Sequence, residues 1–265
     1  MPGFLLDLDG TLYHGDRPIP GAAEFIQWLK KQRYPYLYVT NNSSRTPEQV
    51  AEHLGKVGIE AEPEEVLTTS QAAAMYMKEQ GTGSKVYMIG ETGLERAMLE
   101  AGFSIVTEGP VDFVVQGIDR SFNYEKLAQA VSLIRAGAGF VLTNPDHLLP
   151  WNHELRPGAG SIGAAIERAS QTEPVVIGKP SPIIMNYAIR KLGLPAEQIW
   201  VVGDNLRTDI RGGVAAHCRT ALVLTGLITR ATLEQEQLGA GVQPELVCDS
   251  LAELADKLSQ QPGRA

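Results

Sequence analysis

Short apolar runs alternate with segments of helical periodicity along almost the whole chain, and this alternation restricts the fold more than any other feature. FLLDL (4–8) precedes GAAEFIQWLKKQR (21–33), whose apolar residues recur at helical spacing. YLYVT (36–40), a helix over about 47–57, EVLTT (65–69) and a helix over about 71–79 follow. The same grammar resumes late: PIIMNYAIRKLG is helical, IWVVGD (199–204) is a strand, RTDIRGGVAAH is helical and TALVLT (220–225) is a strand. A helix near 230–238, the strand ELVCD and the helix LAELADKLSQ complete the pattern. Strands alternating with helices of this length imply parallel βαβ units. The expected fold class is α/β, a doubly wound parallel sheet covered on both faces.

The middle of the chain carries a second α/β pattern. QGTGSK (80–85) is a glycine-rich break, followed by KVYMIG, ETGLERAMLEAG, VDFVVQG, NYEKLAQAVSLIRAG, FVLTN, an irregular stretch over 144–161, and GAGSIGAAIERAS. The reading is an inserted α/β domain over 81–173, leaving 1–80 and 174–265 as the core domain. Insertion at an exposed loop is tolerated when the loop ends lie close together.

Bulk properties exclude several classes. The net charge of −8 argues against sequence-independent binding to nucleic acid or to an anionic membrane. No apolar run approaches the roughly 18 residues needed to span a bilayer. The start, MPGFLLDLDG, lacks the basic n-region of a secretory signal. Cys218 and Cys248, in no metal-type spacing, read as reduced thiols of a cytoplasmic protein.

In open α/β sheets, ligands sit beyond the carboxyl ends of the strands. The polar oddities of the outer segments fall at such ends: Asp7 and Asp9 after the first strand, Thr40-Asn41-Asn42 after YLYV, Lys179 after PVVIG (174–178), and Asp204 after IWVVG, with Asp209 five residues on. Four carboxylates in a small volume repel one another, and a divalent cation relieves this. All-oxygen ligands with few carboxylates suit Mg2+. Lys179 adds a fixed positive charge, and the Thr40 hydroxyl and Asn41 backbone N–H add neutral donors. Such a set fits an anionic phosphoryl group attacked by a carboxylate. Asp9, in a DGT turn, is placed to lean over the leaving group and handle its proton.

An EF-hand loop starting at Asp7 fails, because its sixth position is Leu12 and its twelfth is Pro18. A lone GKP is mostly a turn before a helix, and a lone TNN a strand-to-helix loop; their value lies in order and joint placement. His147 and His153 lack a third zinc ligand, and His14 and His53 read as surface or loop residues.

DLDGTL, TNN, GKP and GDNLRTD, in this order, resemble the four motifs of the haloacid dehalogenase-like phosphatases, and PGAAEF, TNPD, PGAGSI and GDNLRTDI resemble the NagD-like branch with its large α/β cap. The resemblance covers nearly the whole chain, and no motif residue departs from the family pattern. It implies a Mg2+-dependent phosphatase (a phosphoric monoester hydrolase, EC 3.1.3.-) acting on sugar phosphates, nucleoside monophosphates or 4-nitrophenyl phosphate. In that scheme Asp7 is the nucleophile that becomes an aspartyl-phosphate, and Asp9 is acid then base. Thr40 and Asn41, with the neighbouring Asn42, hold the phosphoryl group, and Lys179 orients Asp7. Asp7, Asp204 and the backbone carbonyl of Asp9 bind Mg2+; Asp209 supports the ion from behind or ligates it directly. Asn205, Leu206, Arg207 and Thr208, in the same loop, are candidate substrate contacts. Within 144–161, Asn144 and Asp146 are the candidates for reading the substrate, with His147, Trp151, His153 and Arg156 nearby.

The expected partner is a small phosphorylated metabolite, and the resemblance favours a homodimer through the cap. Two rival readings stay open: a phosphomutase, and a non-catalytic phospho-acceptor domain, which would need only about half this length and no acid/base two residues after the acceptor.

Overall fold

A computed structural model describes residues 1–151, 154–226 and 228–260. In chain order the strands are β1 (Gly3–Leu6), β2 (Tyr13–His14), β3 (Arg17–Pro18), β4 (Tyr36–Thr40), β5 (Val66–Thr68), β6 (Lys85–Ile89), β7 (Ser104–Ile105), β8 (Phe113–Gln116), β9 (Gly139–Leu142), β10 (Leu148–Trp151), β11 (Glu154–Pro157), β12 (Val175–Val176), β13 (Ile199–Gly203), β14 (Arg219–Val223) and β15 (Leu246–Cys248). The α-helices are α1 (Ala22–Gln32), α2 (Pro47–Lys56), α3 (Thr69–Gln80), α4 (Thr92–Glu100), α5 (Tyr124–Arg135), α6 (Ala159–Ser170), α7 (Pro182–Leu192), α8 (Arg211–Ala215), α9 (Leu233–Ala240) and α10 (Leu251–Ser259). The chain forms two compact units: Met1–Thr40, Glu48–Leu67 and the chain from Lys179 onward make the first, and Asn41–Pro47 with Thr68–Gly178 the second.

The first unit is built on a six-stranded sheet of order β15-β14-β13-β1-β4-β5. β1 pairs in parallel with both β13 and β4, so that Leu6 faces Val202 on one side and Tyr38 on the other. The chain moves from β1 outward through β4, then returns to β13 and moves outward the opposite way. Strand order therefore reverses between β1 and β13, where open α/β sheets form a crevice. Asp7 and Asp204 are the first residues beyond these two strands. The α1 helix presents Ala22, Phe25, Ile26 and Leu29, spaced for one helical face, to this sheet's core. Phe4 and Phe25 meet edge to face with centroids 6.3 Å apart, beside Leu6, Tyr38, Trp200 and Val202. Each such side chain contributes about 1.5–3 kcal/mol by leaving water, which makes β1 a rigid support for the loop that follows it.

The second unit has its own parallel sheet, of order β12-β9-β8-β6-β7. Its core joins Tyr87, Ile89, Val114 and Phe140 of the strands to Leu133 of α5 and Ile166 of α6. Local capping delimits its helices. The Thr68 hydroxyl accepts from the Gln71 N–H at 3.2 Å while the Gln71 side chain accepts from the Thr68 N–H at 3.1 Å.

The α/β class and the parallel sheet hold as expected; several local readings do not. The stretch 144–161 is not simply irregular, since β10 and β11 form an antiparallel ribbon with Leu148 opposite Pro157 and Pro150 opposite Leu155. Its prolines hid it, because proline is excluded from central strands but tolerated in a two-stranded ribbon. PVVIG was assigned to the outer segments, yet β12 pairs with β9 of the second sheet, so Lys179 does not follow a strand of the first sheet. RTDIRGGVAAH is not one helix: Leu206–Ile210 is a π-helix that precedes α8. His53 is not a surface residue. It is 8 % exposed within α2, its Nε2 lies 2.8 Å from the Gly15 carbonyl oxygen, and its ring stands edge-on to Tyr13. Among the described residues, no helix is long and apolar enough to cross a membrane. His153 lies outside the described residues.

Candidate active site

The site in the first unit starts where β1 stops pairing. The Asp7 N–H still donates to Val202 O at 2.9 Å, so the backbone beneath the carboxylate is pinned to the sheet. The chain then turns tightly, with the Leu12 N–H donating to Leu8 O at 2.8 Å and the Gly10 N–H to Tyr13 O at 2.8 Å. Gly10 sits at φ +90°, and a Cβ built on it would fall 2.3 Å from Asp204 Oδ2. Only glycine satisfies both demands, and the loop thereby closes onto the end of β13. Asp9, two residues beyond Asp7, is exposed in this loop and bridges to Tyr13.

Lys179 organises the carboxylates. Its side chain is 3 % exposed, and its ammonium lies 2.5 Å from Asp7 Oδ1 and 2.7 Å from Asp209 Oδ1. It also donates to Val39 O at 3.0 Å, the carbonyl just before Thr40. Burial alone would lower its pKa; Asp209 and Asp7 outweigh burial and hold it above the ordinary lysine value. The second oxygen of Asp7 accepts from the Thr11 hydroxyl at 3.3 Å. The second oxygen of Asp209 accepts from the Asn205 N–H at 3.2 Å. Asp209 sits in the π-helix, where the Ile210 N–H reaches back five residues to Asn205 O at 3.2 Å. A wide turn of this kind is common at functional sites because it re-aims one side chain.

Asp7, Asp204 and Asp209 each place a carboxylate oxygen within 4.8 Å of the others. The strain of that arrangement is legible in the acidities. Burial, then repulsion from Asp7 and Asp209, pushes the Asp204 carboxyl well above the usual carboxylate range, and Lys179 only partly offsets it. Burial, then Asp7, pushes Asp209 up to about 7, again against the pull of Lys179. One ammonium against three carboxylates leaves two negative charges uncompensated, and an all-oxygen donor set of that charge fits a hard divalent cation. Both oxygens of Asp209 are already engaged, whereas Asp204 is half-buried beside the Gly10 loop.

The other expected residues distribute as follows. Thr40 ends β4 and is buried. Asn205 is exposed and caps the π-helix, accepting from the Arg207 N–H at 2.8 Å. Arg207 is exposed, 3.5 Å from Glu236, and Thr208 is partly buried. Leu206 is a correction: it packs into an apolar cluster with Ile210, Leu222 and Ala240 and is 1 % exposed, so its side chain serves packing. Asn41, Asn42, Asn144 and Asp146 belong to the second unit. There the Asn41 amide donates to Asp146 Oδ2 at 3.0 Å, and the Asn144 amide donates to Asn41 O at 2.8 Å. Asn42 Oδ1 accepts from the N–H groups of Ser44 and Arg45, both at 2.9 Å, which makes it a turn-former. Sequence reasoning missed Thr11 and the Val39 carbonyl; a hydroxyl in DGTL was the one available signal.

A model of the haloacid dehalogenase-like hydrolases matches residues 4–104, and a second model of the same group matches 176–254. An acid sugar phosphatase of Staphylococcus aureus is 43 % identical over 251 residues, spanning 95 % of this chain and 97 % of that one. The chain belongs to the haloacid dehalogenase-like hydrolases. A p-nitrophenyl phosphatase from Archaeoglobus fulgidus superposes with a TM-score of 0.92 at 34 % identity, covering 97 % of this chain and 98 % of that one. NagD from E. coli K-12 superposes with a TM-score of 0.88 at 34 % identity, covering 96 % and 98 %, which agrees with placement in the NagD-like branch.

Proposed function

We propose that this chain is a Mg2+-dependent phosphatase of small metabolites, with sugar phosphates, nucleoside monophosphates and 4-nitrophenyl phosphate as its substrate class. It is a phosphoric monoester hydrolase. The observation that carries the reading is the buried Lys179 ammonium held between Asp7 and Asp209, with the Asp204 carboxylate in the same cluster.

Lys179 grips Asp7 Oδ1, which fixes the carboxylate for attack. An Asp7 oxygen bonds to phosphorus as the ester P–O bond breaks, and Asp9, as the acid, gives its proton to the departing alkoxide. Asp9, now a carboxylate, takes a proton from water; that water attacks phosphorus, releases orthophosphate and returns Asp7 to its ionised form. Thr40 and the Asn41 N–H donate to the non-bridging oxygens. Asp7, Asp204 and the Asp9 carbonyl would hold Mg2+, which when bound supplies positive charge to the phosphoryl oxygens. Asp209, with both oxygens engaged, acts by fixing Lys179 and the loop.

In this reading the first unit is the catalytic core and the second unit the cap, the two free thiols suit the cytoplasm, and two chains pair through the cap. Purified protein should hydrolyse 4-nitrophenyl phosphate in steady state with Mg2+ and stop on addition of EDTA. A phospho-acceptor domain would show no sustained turnover, and product analysis on a hexose monophosphate would expose a mutase. A panel of metabolite phosphates ranked by kcat/KM identifies the substrate, and light scattering tests the pairing.

A further inference from the structure

We propose that Asp146 is a positioning residue for the phosphoryl site: it holds the side-chain amide of Asn41 while Asn144 holds the Asn41 main-chain carbonyl, across 105 and 103 positions of sequence. The inference rests on the reading above, in which Asn41 holds the phosphoryl group. It reassigns Asp146, because the side chain that looked free to read a substrate is committed to Asn41.

Three bonds converge on Asn41. The Asp146 carboxylate can only accept, so the Asn41 amide nitrogen must be the donor across their 3.0 Å contact. That fixes the orientation of the amide and points its oxygen the other way, where a Cβ on Gly178 would fall 2.6 Å from it. The Asn41 carbonyl accepts twice, from the Asn144 amide at 2.8 Å and from the Thr69 hydroxyl at 3.1 Å. Side chain and main chain are thus both fixed, one residue beyond Thr40. The clamp is itself rigid. The Asp146 N–H donates to Asn144 Oδ1 at 3.2 Å, and the Asp146 carbonyl accepts from the Gly160 N–H at 2.9 Å. Asn144 is 5 % exposed, and both ends of its amide are used. A donor held in advance at a site of developing charge costs no reorganisation when the substrate arrives.

The chemistry separates this role from contact with a leaving group. Orthophosphate has no leaving group, so a residue that acts only through the phosphoryl donors must change its affinity. We expect Asp146→Ala to weaken inhibition by orthophosphate about tenfold, the size expected for one hydrogen bond to a charged group. It should lower kcat/KM by the same factor on 4-nitrophenyl phosphate, a hexose monophosphate and acetyl phosphate. Asp146→Asn keeps an oxygen able to accept from Asn41 and should recover most of the loss. Asp146 is only partly buried, and Asp146→Ser replaces the alanine variant should that one not fold. Unchanged orthophosphate inhibition, losses that vary with the leaving group, or an Asn variant as poor as the Ala variant would each overturn the proposal. A wild-type protein that neither hydrolyses these esters nor responds to orthophosphate would instead bring down the phosphatase reading beneath it.

Discussion

Replacing Lys179 by Met roughly keeps the length of the side chain and removes the ammonium held between Asp7 and Asp209. Two side chains then lose a buried partner: Asp7 at 2.5 Å and Asp209 at 2.7 Å. Breaking a buried ion pair from one side costs about 3–5 kcal/mol, because the abandoned charge stays desolvated. At roughly 2–4 °C per kcal/mol for a chain of this size, the melting temperature should fall by about 6–20 °C at pH 8. The pH dependence gives the sharper test. Asp209 titrates at about 7 in the folded protein against an ordinary 3.8. The folded state therefore binds its proton more tightly than the unfolded state, and Asp209 withdraws stability as pH rises from about 4 to about 7. Without Lys179 the downward pull is gone, the folded pKa climbs further, and the penalty at pH 8 grows. At pH 5 Asp209 is protonated in the folded variant, and little unpaired charge is buried. Thermal melts of both proteins in EDTA, at pH 5 and pH 8, measure the difference directly. The gap between them should shrink by at least half at pH 5. An equal gap at both pH values, or no gap at pH 8, would refute the argument that this lysine compensates buried negative charge.

Asp7→Asn, nearly isosteric, should retain the fold by circular dichroism and lose turnover; wild-type activity in that variant would exclude Asp7 as nucleophile. Asp9→Asn should slow both formation and breakdown of the phosphoenzyme, measured by acid quench after mixing with a labelled ester. Gly10→Ala forces a methyl against Asp204 at an unfavourable φ, and should weaken Mg2+ binding by at least tenfold in a calorimetric titration. Mg2+ should raise the wild-type melting temperature more at pH 8 than at pH 5, because a proton on the raised Asp204 carboxyl competes with the ion.

What the sequence made legible follows from where each interaction is encoded. Asp7, Thr40 and Asp204 stand directly at strand ends, and a strand end is visible as the point where an apolar run meets a polar residue. The parallel sheet was legible for the same reason, through the repeated change from strand to helix period. Lys179 reaches the site by a route that its sequence position does not encode. It follows β12, which pairs in the second sheet, and a two-residue strand says nothing in sequence about which sheet will take it. Leu206 shows the converse error: proximity to Asp204 along the chain suggested contact with substrate, while the π-helix turned its apolar side chain into a cluster with Ile210 and Leu222. The β10–β11 ribbon failed because proline weighs against a strand unless the strand has an open edge.

The link from Asp146 to Asn41 is of a third kind. No periodicity or local spacing encodes a bond across 105 residues, and TNPD alone says only that an Asx turn is present. Its logic is physical rather than local. A phosphoryl group must be met by donors already in place, since bending a flexible loop into register on each turnover would consume the free energy that stabilises the transition state. Thr40 is held by its strand, Asp7 by β1 and Lys179, and Asp204 by β13 and the Gly10 loop. Asn41 lies one residue past the end of β4, where the sheet no longer supplies partners. Asn41 belongs to the second unit and finds its partners within it, in Asn144, Thr69 and Asp146. A residue at the end of a strand needs a partner from elsewhere in the chain to be rigid, and an acceptor-only carboxylate, unlike an amide, leaves the Asn41 side chain a single orientation.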